Sequence, residues 1–399
     1  MFEHVVRVRE GGAWDVLGMP SSRGVKNAGM SVWIFYARGA LARAEAPPEL
    51  TRAVAVLAVL ARVLMIAIPA WLVRGDTQRD ARDRRAWIWA IVLSCTNPTS
   101  VFLDRKIWAL VLPLVMVSLW IAWLMRERRA GAFVWGALSA VVGQIHMPGF
   151  FFAPMLALFT RLFDARAPER RTRWSWWIAG AILGALPAVP WLLYLARDRP
   201  HPTGSSSWLR FRLEFYQYFL SDPTGLAGQY TLGDDIVRAL RWPLLSGRPT
   251  WLLLGAYVVL AVASAILARR ALVMLWEERR SLGVLARGGD GATRSDTSLA
   301  IAAGFVGMGA LMTLPSISIH RHYLYAAFPL PYLLFAKVAL RQPGGERWLY
   351  TLFGATAIVS ASLLSYVHDV GENAEMGKTY RLQQELGITP EQAKPKGHP

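Results

Sequence analysis

The chain has one cysteine, Cys95, so no disulfide can form within it, and that residue sits inside an apolar stretch. It has no HExxH, no CxxC pair, no Walker loop and no GxSxG elbow. Zinc hydrolysis, P-loop nucleotide chemistry and an elbow serine nucleophile therefore lack local support. Acids are scarce: 27 Asp and Glu stand against 44 Lys and Arg, a formal charge of +17. The basic residues form no stripe interleaved with exposed aromatics, which argues against a nucleic-acid partner. No apolar core of a signal peptide opens the chain. Residues 1–27 are polar, with Val5, Val6 and Val8 set against Arg7, Arg9 and Glu10 in a short amphipathic pattern. No solenoid-type repeat is evident.

Hydrophobic length is what the chain does have. Of its 399 residues 54% are hydrophobic, mean hydropathy is +0.30, and there are 18 tryptophans. Ten apolar stretches lie near 53–73, 86–103, 107–125, 131–146, 149–163, 174–195, 250–268, 298–315, 321–340 and 347–367. Several match the roughly 20 residues that cross about 30 Å of hydrocarbon. The expected fold class is an all-α polytopic membrane protein.

The connecting loops fall into two chemical sets that alternate. Loops 74–85, 126–129, 164–173, 269–294 and 341–347 are rich in arginine; loops 97–106, 146–149, 197–248 and 316–323 carry the unusual polar residues. Arginine-rich short loops stay on the cytoplasmic side, where anionic lipid attracts them. The polar set, the long loop 197–249 and the tail 368–399 are then expected outside the cytoplasmic (inner) membrane. Trp208, Phe211, Phe215, Tyr216, Tyr218 and Phe219 predict an amphipathic helix on the outer membrane surface. Ala28–Ala42 is apolar but short and contains Arg38, and reads either as a crossing or as a re-entrant segment.

Candidate chemistry falls in the polar set. His320, Arg321, His322 and Tyr323 stand at the mouth of an apolar run, where such groups are costly unless they bind something. Arg and His together suit an anion such as a lipid phosphate; the plainer reading is a basic anchor. Asp104, after Asn97-Pro98-Thr99-Ser100, could orient a hydroxyl or pair with Arg105. His146, before Met147-Pro148, breaks two apolar stretches and reads as structural or as an acceptor contact. No metal or cofactor is called for.

Several of these stretches, taken in order, resemble the GT-C membrane glycosyltransferases, among them protein mannosyltransferases, aminoarabinose transferases and lipopolysaccharide-core sugar transferases. Arg7-Val-Arg-Glu-Gly-Gly-Ala-Trp14 is similar to the end of their first outer-loop helix. Pro20 to Trp33, with Lys26 and Asn27, resembles their proline-rich entry to the next membrane segment. His320-Arg-His-Tyr-Leu-Tyr-Ala-Ala-Phe-Pro329 resembles their arginine-tyrosine span, and Gly377-Lys-Thr-Tyr-Arg-Leu-Gln their post-membrane segment.

The resemblance implies a bundle of about ten or eleven membrane helices with an outer amphipathic segment. It also implies transfer of a sugar from a polyprenyl-phosphate donor to a lipid, glycan or protein acceptor outside the membrane. In that scheme Lys26, His320, Arg321, His322 and Tyr323 meet the donor phosphate. Asp104 and Glu3 are the catalytic acids, and Asn27 and His146 are acceptor or structural positions. The family's acidic pair would fall before Met1, so residues 1–27 read as the remainder of a first outer loop, and the chain as truncated or as an inactive relative. The membrane domain would span 28–367. The rival class is a transporter or flippase of a lipid-linked substrate, which calls for charges within the membrane and internal repeats.

Overall fold

The computed structural model describes residues 2–387 apart from 22–23, 37–40, 69–77, 105–111, 165–170, 199–212, 227–231, 287–295, 315–318 and 374–376. Arg38, Arg105, Lys106, Trp208, Phe211, Ser316, the glycines at 288–291 and the tail from 388 lie outside the described residues. The protein is mostly helical, with strands only as three two-stranded pairs among the described residues.

Each of the ten apolar stretches carries helix: Pro47–Leu64, Gln78–Thr96, Leu112–Leu124, Arg129–Ile145, Gly149–Phe163, Trp174–Ala185 with Val189–Asp198, Leu252–Ala286, Asp296–Ala302 running on to Thr313, Leu330–Leu340, and Gly345–Val370. Four are long and apolar enough to cross a membrane unaided: Trp174–Asp198, Leu252–Glu277, Asp296–Thr313 and Gly345–Val370. The pair Arg321–Ala327 and Leu330–Leu340, bent by 77°, makes a fifth if it is one broken span. Apolar helices such as Gly149–Phe163 are shorter.

One expectation changes. The arginine-rich segment that starts at Arg269 begins as helix, because the chain runs through Ala, Leu, Met and Glu, strong helix formers, to Ala286. Within Ala28–Ala42, Met30–Tyr36 is helical, with Val32, Phe35 and Tyr36 buried, and residues 37–40 lie outside the described residues.

Helix packing uses glycine where backbones meet. A Cβ on Gly136 would lie 2.0 Å from the Trp177 carbonyl oxygen, and one on Gly180 would lie 1.9 Å from that of Phe133. Gly180 and Gly184 are four apart, so Arg129–Ile145 and Trp174–Ala185 touch along a small-residue seam of the kind membrane helices use.

The helices connect two ends of different chemistry. At one end Arg126, fully buried, places Nε 3.0 Å and Nη2 3.1 Å from the Asp164 carboxylate, Nη2 2.6 Å from Asp296, and Nη1 3.1 Å from the Trp123 carbonyl. Its guanidinium also stacks 4.5 Å over the Trp123 ring. Nearby elements add Lys337 with Asp83 at 3.7 Å and Arg85 with Glu346 at 3.5 Å. These contacts join loops of the arginine-rich set to one another. The polar set meets at the other end, about 25 Å away along Arg129–Ile145.

Candidate functional site

The helix Gln78–Thr96 stops because Pro98 follows. Proline has no N–H to give and pushes the residue before it out of helical geometry. Asn97 is accordingly extended and caps the next helix, Pro98–Leu103, its Oδ1 accepting from the Ser100 N–H at 3.2 Å. Its Nδ2 donates to the Asp222 carbonyl at 2.6 Å, which fastens a distant loop to this corner. In that loop Glu214–Ser221 is helical and runs into a 3-10 turn over Asp222–Thr224. Gly225 ends the turn at φ 72° and packs against Pro98 and Thr356.

Phe215 and Phe219 are fully buried, and Phe219 lies 5.3 Å edge-on from Phe305. Of the aromatic face expected on the outer membrane surface, Phe215 and Phe219 are instead packed into the bundle, and Trp208 and Phe211 lie outside the described residues. Alternating aromatic spacing cannot distinguish lipid from protein as the apolar partner.

His320 is extended and Arg321–Ala327 forms a 3-10 helix. Arg321 donates to Ser221 Oγ at 3.1 Å, stands 3.8 Å from Asp222 Oδ1, and lies 4.5 Å over the Tyr218 ring. The His320 and His322 rings stack at 5.3 Å, and Tyr323 meets both edge-on at 5.5 and 4.7 Å. His146 joins them: its Nε2 donates to the His322 carbonyl at 3.2 Å, and its ring lies 5.8 Å from Tyr323. The structure therefore unites Asn97, His146, His320, Arg321, His322 and Tyr323, which the sequence spreads over more than two hundred positions.

Electrostatics sorts this group. Burial lowers His146 to about 4, more than the His322 carbonyl contact raises it, so at neutral pH it is an uncharged hydrogen-bond donor. Asp222 is the opposite case. Burial raises its carboxyl, while Arg321 and the facing hydroxyls of Thr99 and Tyr332 lower it; burial wins and leaves it at about 6. Its Oδ1 and the Thr99 hydroxyl are both buried without a completed hydrogen bond.

Asp104 caps the end of Pro98–Leu103 and forms a buried ion pair with Arg62 of Pro47–Leu64. Arg62 is 2% exposed, and its guanidinium lies 5.5 Å over the Phe328 ring. From Arg321, half-buried at the mouth, a line of buried polar groups runs inward: Asp222, Tyr332, Ser100 at 2.9 Å from the Tyr332 hydroxyl, then Tyr325, Asp104 and Arg62.

The other expected residues sit elsewhere. Lys26 is exposed on the strand Lys26–Ala28, and its carbonyl accepts from Trp191 Nε1 at 2.9 Å. Trp191 stacks on Phe150, just past the hairpin that carries His146, so Lys26 belongs to the same end. Asn27 donates to the Met19 carbonyl at 2.8 Å and closes the small hairpin. Glu3 is exposed on the helix Phe2–Arg9, and no ion pair or hydrogen bond among the described residues ties its side chain to the polar end. The engaged acid of this region is Asp15, with Arg7 at 2.5 Å, His4 at 3.0 Å and the Tyr36 hydroxyl. Burial raises the Asp15 carboxyl, but the bonds from Tyr36, Arg7 and His4 outweigh that and hold it at about 2.

Arg62, Asp222, Tyr218 and Tyr325 escaped sequence reasoning. Arg62 had a readable signal, a lone charge inside the stretch 53–73. Asp222 had none, because its partners arrive from three other elements. Among the described residues no three His, Cys, Asp or Glu side chains converge as metal ligands. Comparison with known families, curated proteins and solved structures finds no match to this chain.

Proposed function

We propose that the chain is a GT-C-type membrane glycosyltransferase. It takes a sugar from a polyprenyl-phosphate donor and works at the non-cytoplasmic face of the inner membrane. The observation that carries this reading is the meeting of all four loops of the polar set around Arg321. From Arg85 to Asn97 the helix rises only about 18 Å. That is less than the hydrocarbon thickness, so the polar end is recessed into the membrane. Irregular backbone at that depth is tolerated where it is buried in protein or lines a wet cavity.

In this reading Arg321, with Tyr218 beneath it and His320, His322 and Tyr323 beside it, receives the donor phosphate. Lys26 stands at the same mouth. A phosphodiester leaving group needs such stabilisation as its oxygen gains charge. The acceptor hydroxyl attacks the anomeric carbon, the bond from that carbon to the phosphate oxygen breaks, and the hydroxyl proton passes to a carboxylate. Asp222 suits that base better than Glu3: it stands in the cluster, and a pKa of about 6 suits proton transfer near neutral pH. Asp104 orients a hydroxyl deeper in the bundle.

The test uses protein in lipid nanodiscs with undecaprenyl-phosphate hexose and a membrane-extract acceptor. Wild type is expected to release undecaprenyl phosphate, and Arg321→Gln to lose roughly ten- to hundredfold, the value of about 1.5–3 kcal/mol for one charge-assisted contact. Binding and turnover that are the same in both proteins would remove the assignment. One observation favours the rival transporter: the Arg62–Asp104 pair lies within the bundle, where carriers place charges. Movement of undecaprenyl phosphate between vesicle leaflets, without transfer, would select it.

A further inference from the structure

Leu252–Ala286 and Gly345–Val370 both contain a stretch long and apolar enough to cross a membrane. Between them lies a groove of about 450 Å³, lined from Trp251 to Val259 on one side and from Tyr350 to Ile358 on the other. Trp251, Val259, Tyr350 and Ile358 are exposed, so the groove opens on the outside of the bundle. Each wall covers eight positions, about 12 Å of helix, close to half of the roughly 30 Å of hydrocarbon. Tyr350 and Thr351 are its polar residues, and Thr351 Oγ1 already donates to the Arg347 carbonyl at 2.8 Å. Such a lining takes a hydrocarbon chain.

Two glycines in the lining point the same way. Glycine weakens a helix interior and is useful there where something must approach the backbone closely. Gly136, Gly180, Gly304 and Gly307 have that reason inside the protein, since a Cβ on each would lie 2.9 Å or less from a neighbour. A Cβ on Gly255 or Gly354 would meet nothing within 4 Å. Helix packing does not account for these two, and both line the groove.

Charge identifies the other half of the ligand. Residues 236–249, just before Trp251, contain Arg238, Arg241 and Arg248 and no acid. They belong to a loop of the polar set, where sidedness gives arginine no reason to gather. Leu244–Leu245 pairs with Arg248–Pro249 in a hairpin, and Arg241, Leu245, Arg248 and Trp251 are exposed. Exposed leucine and tryptophan beside arginine suit a membrane interface, where arginine meets lipid phosphate. A second copy docked here about a two-fold axis along the membrane normal would bring two such arginine segments together, which like charges oppose.

We propose that the groove holds one acyl chain of an anionic phospholipid whose phosphate lies at Arg241 and Arg248. The site is separate from Arg321 and does not depend on the glycosyltransferase reading.

The experiment uses the whole chain, stripped of lipid in detergent, and counts bound lipid by native mass spectrometry. Probes are phosphatidylglycerol, phosphatidylcholine and undecaprenyl phosphate. Wild type is expected to hold one phosphatidylglycerol about five- to twentyfold more tightly than phosphatidylcholine. Arg241→Gln with Arg248→Gln should remove that preference and leave phosphatidylcholine as it was. Gly354→Leu, which fills the groove, should weaken both phospholipids about tenfold. Its lipid-free melting temperature should equal or exceed wild type, because leucine is the better helix former. Gly255→Leu, from the opposite wall, gives the same reading if Gly354→Leu does not fold. Val262→Leu, exposed on the same helix but outside the groove, should change nothing. Unchanged binding in the glycine variant, an equal loss in Val262→Leu, or no preference of wild type for phosphatidylglycerol would overturn the site. So would undecaprenyl phosphate binding in place of either phospholipid, or a wild-type dimer that Gly354→Leu disperses.

Discussion

Arg126 and Arg62 are both buried in the bundle, and they are used in opposite ways. Every nitrogen of Arg126 has a partner, and two carboxylates grip it at 2.6 to 3.1 Å. Arg62 has one carboxylate partner and two vacant nitrogens. The first is a closed network that ties three connecting segments together, including those of Asp164 and Asp296. The second is an open one. A fully satisfied polar network rigidifies a fold, and a partly satisfied one does so less. At the other end of the molecule the buried Asp222 carboxylate faces Arg321 and the hydroxyls of Thr99 and Tyr332.

The largest expected effect follows from the closed end. Arg126→Met removes the fully buried guanidinium that two partly buried carboxylates share and should cost about 3–5 kcal/mol, read as a large fall in melting temperature. Donor binding per folded molecule should stay at the wild-type level. A mild loss of stability would mean that the arginine end is not the structural clamp of the bundle.

A double replacement sharpens the contrast at Arg62. Asp104→Leu alone should destabilise by several kcal/mol, because it leaves a buried guanidinium unpaired. Arg62→Met with Asp104→Leu should restore much of that stability, since no unpaired charge is left in the bundle. A double variant no more stable than Asp104→Leu alone would refute that.

A smaller effect is expected from pH. The Asp222 carboxyl is raised above its unfolded value of about 3.9. Its neutral form is therefore the better accommodated one, and folding stability from this group is full below about pH 4 and declines as pH rises through about 6. The pair with Arg321 exists only when Asp222 is ionised. Affinity for a phosphodiester lipid should therefore rise severalfold as pH falls through 6, because Arg321 is released. Around Asp222 stand Arg321, Tyr332 and Thr99, with His320 and His322 on the same segment as Arg321. Protonation of those histidines would act in the same direction, so the informative comparison is Asp222→Asn, which should flatten most of the dependence. An unchanged profile in that variant would assign it to the histidines.

Sidedness separates the two ends without any energetic scale. In cells, with Cys95 replaced, a cysteine at exposed position 246 should react with an impermeant reagent and one at position 128 should not. The reverse pattern would invert the topology.

Much of the fold was legible because a membrane span needs an apolar run, and each of the ten stretches became helix. What escaped depended on contacts between distant positions. Phe215 and Phe219 read correctly as an apolar helix face, yet the face packs on Phe305 and not on lipid. The break at 321–329 is written in Pro329 and Pro331, but its 77° bend is set by tertiary packing. At the site, His320 to Tyr323 stood out because polar groups are expensive at a span mouth. Asp104 stood out too, though the Arg62 it pairs with stands 42 positions earlier and could not be read as its partner. Glu3 was proposed because it precedes the resembling segment, and it lies on an exposed helix face.

The most direct measurement of the central claim is the affinity of nanodisc-embedded protein for undecaprenyl-phosphate hexose in wild type, Arg321→Ala and Arg128→Ala. Arg128 is an arginine of the opposite end. The account predicts a loss of about 1.5–3 kcal/mol for Arg321→Ala and none for Arg128→Ala. Equal affinity in all three proteins, or a loss only at Arg128, would contradict it.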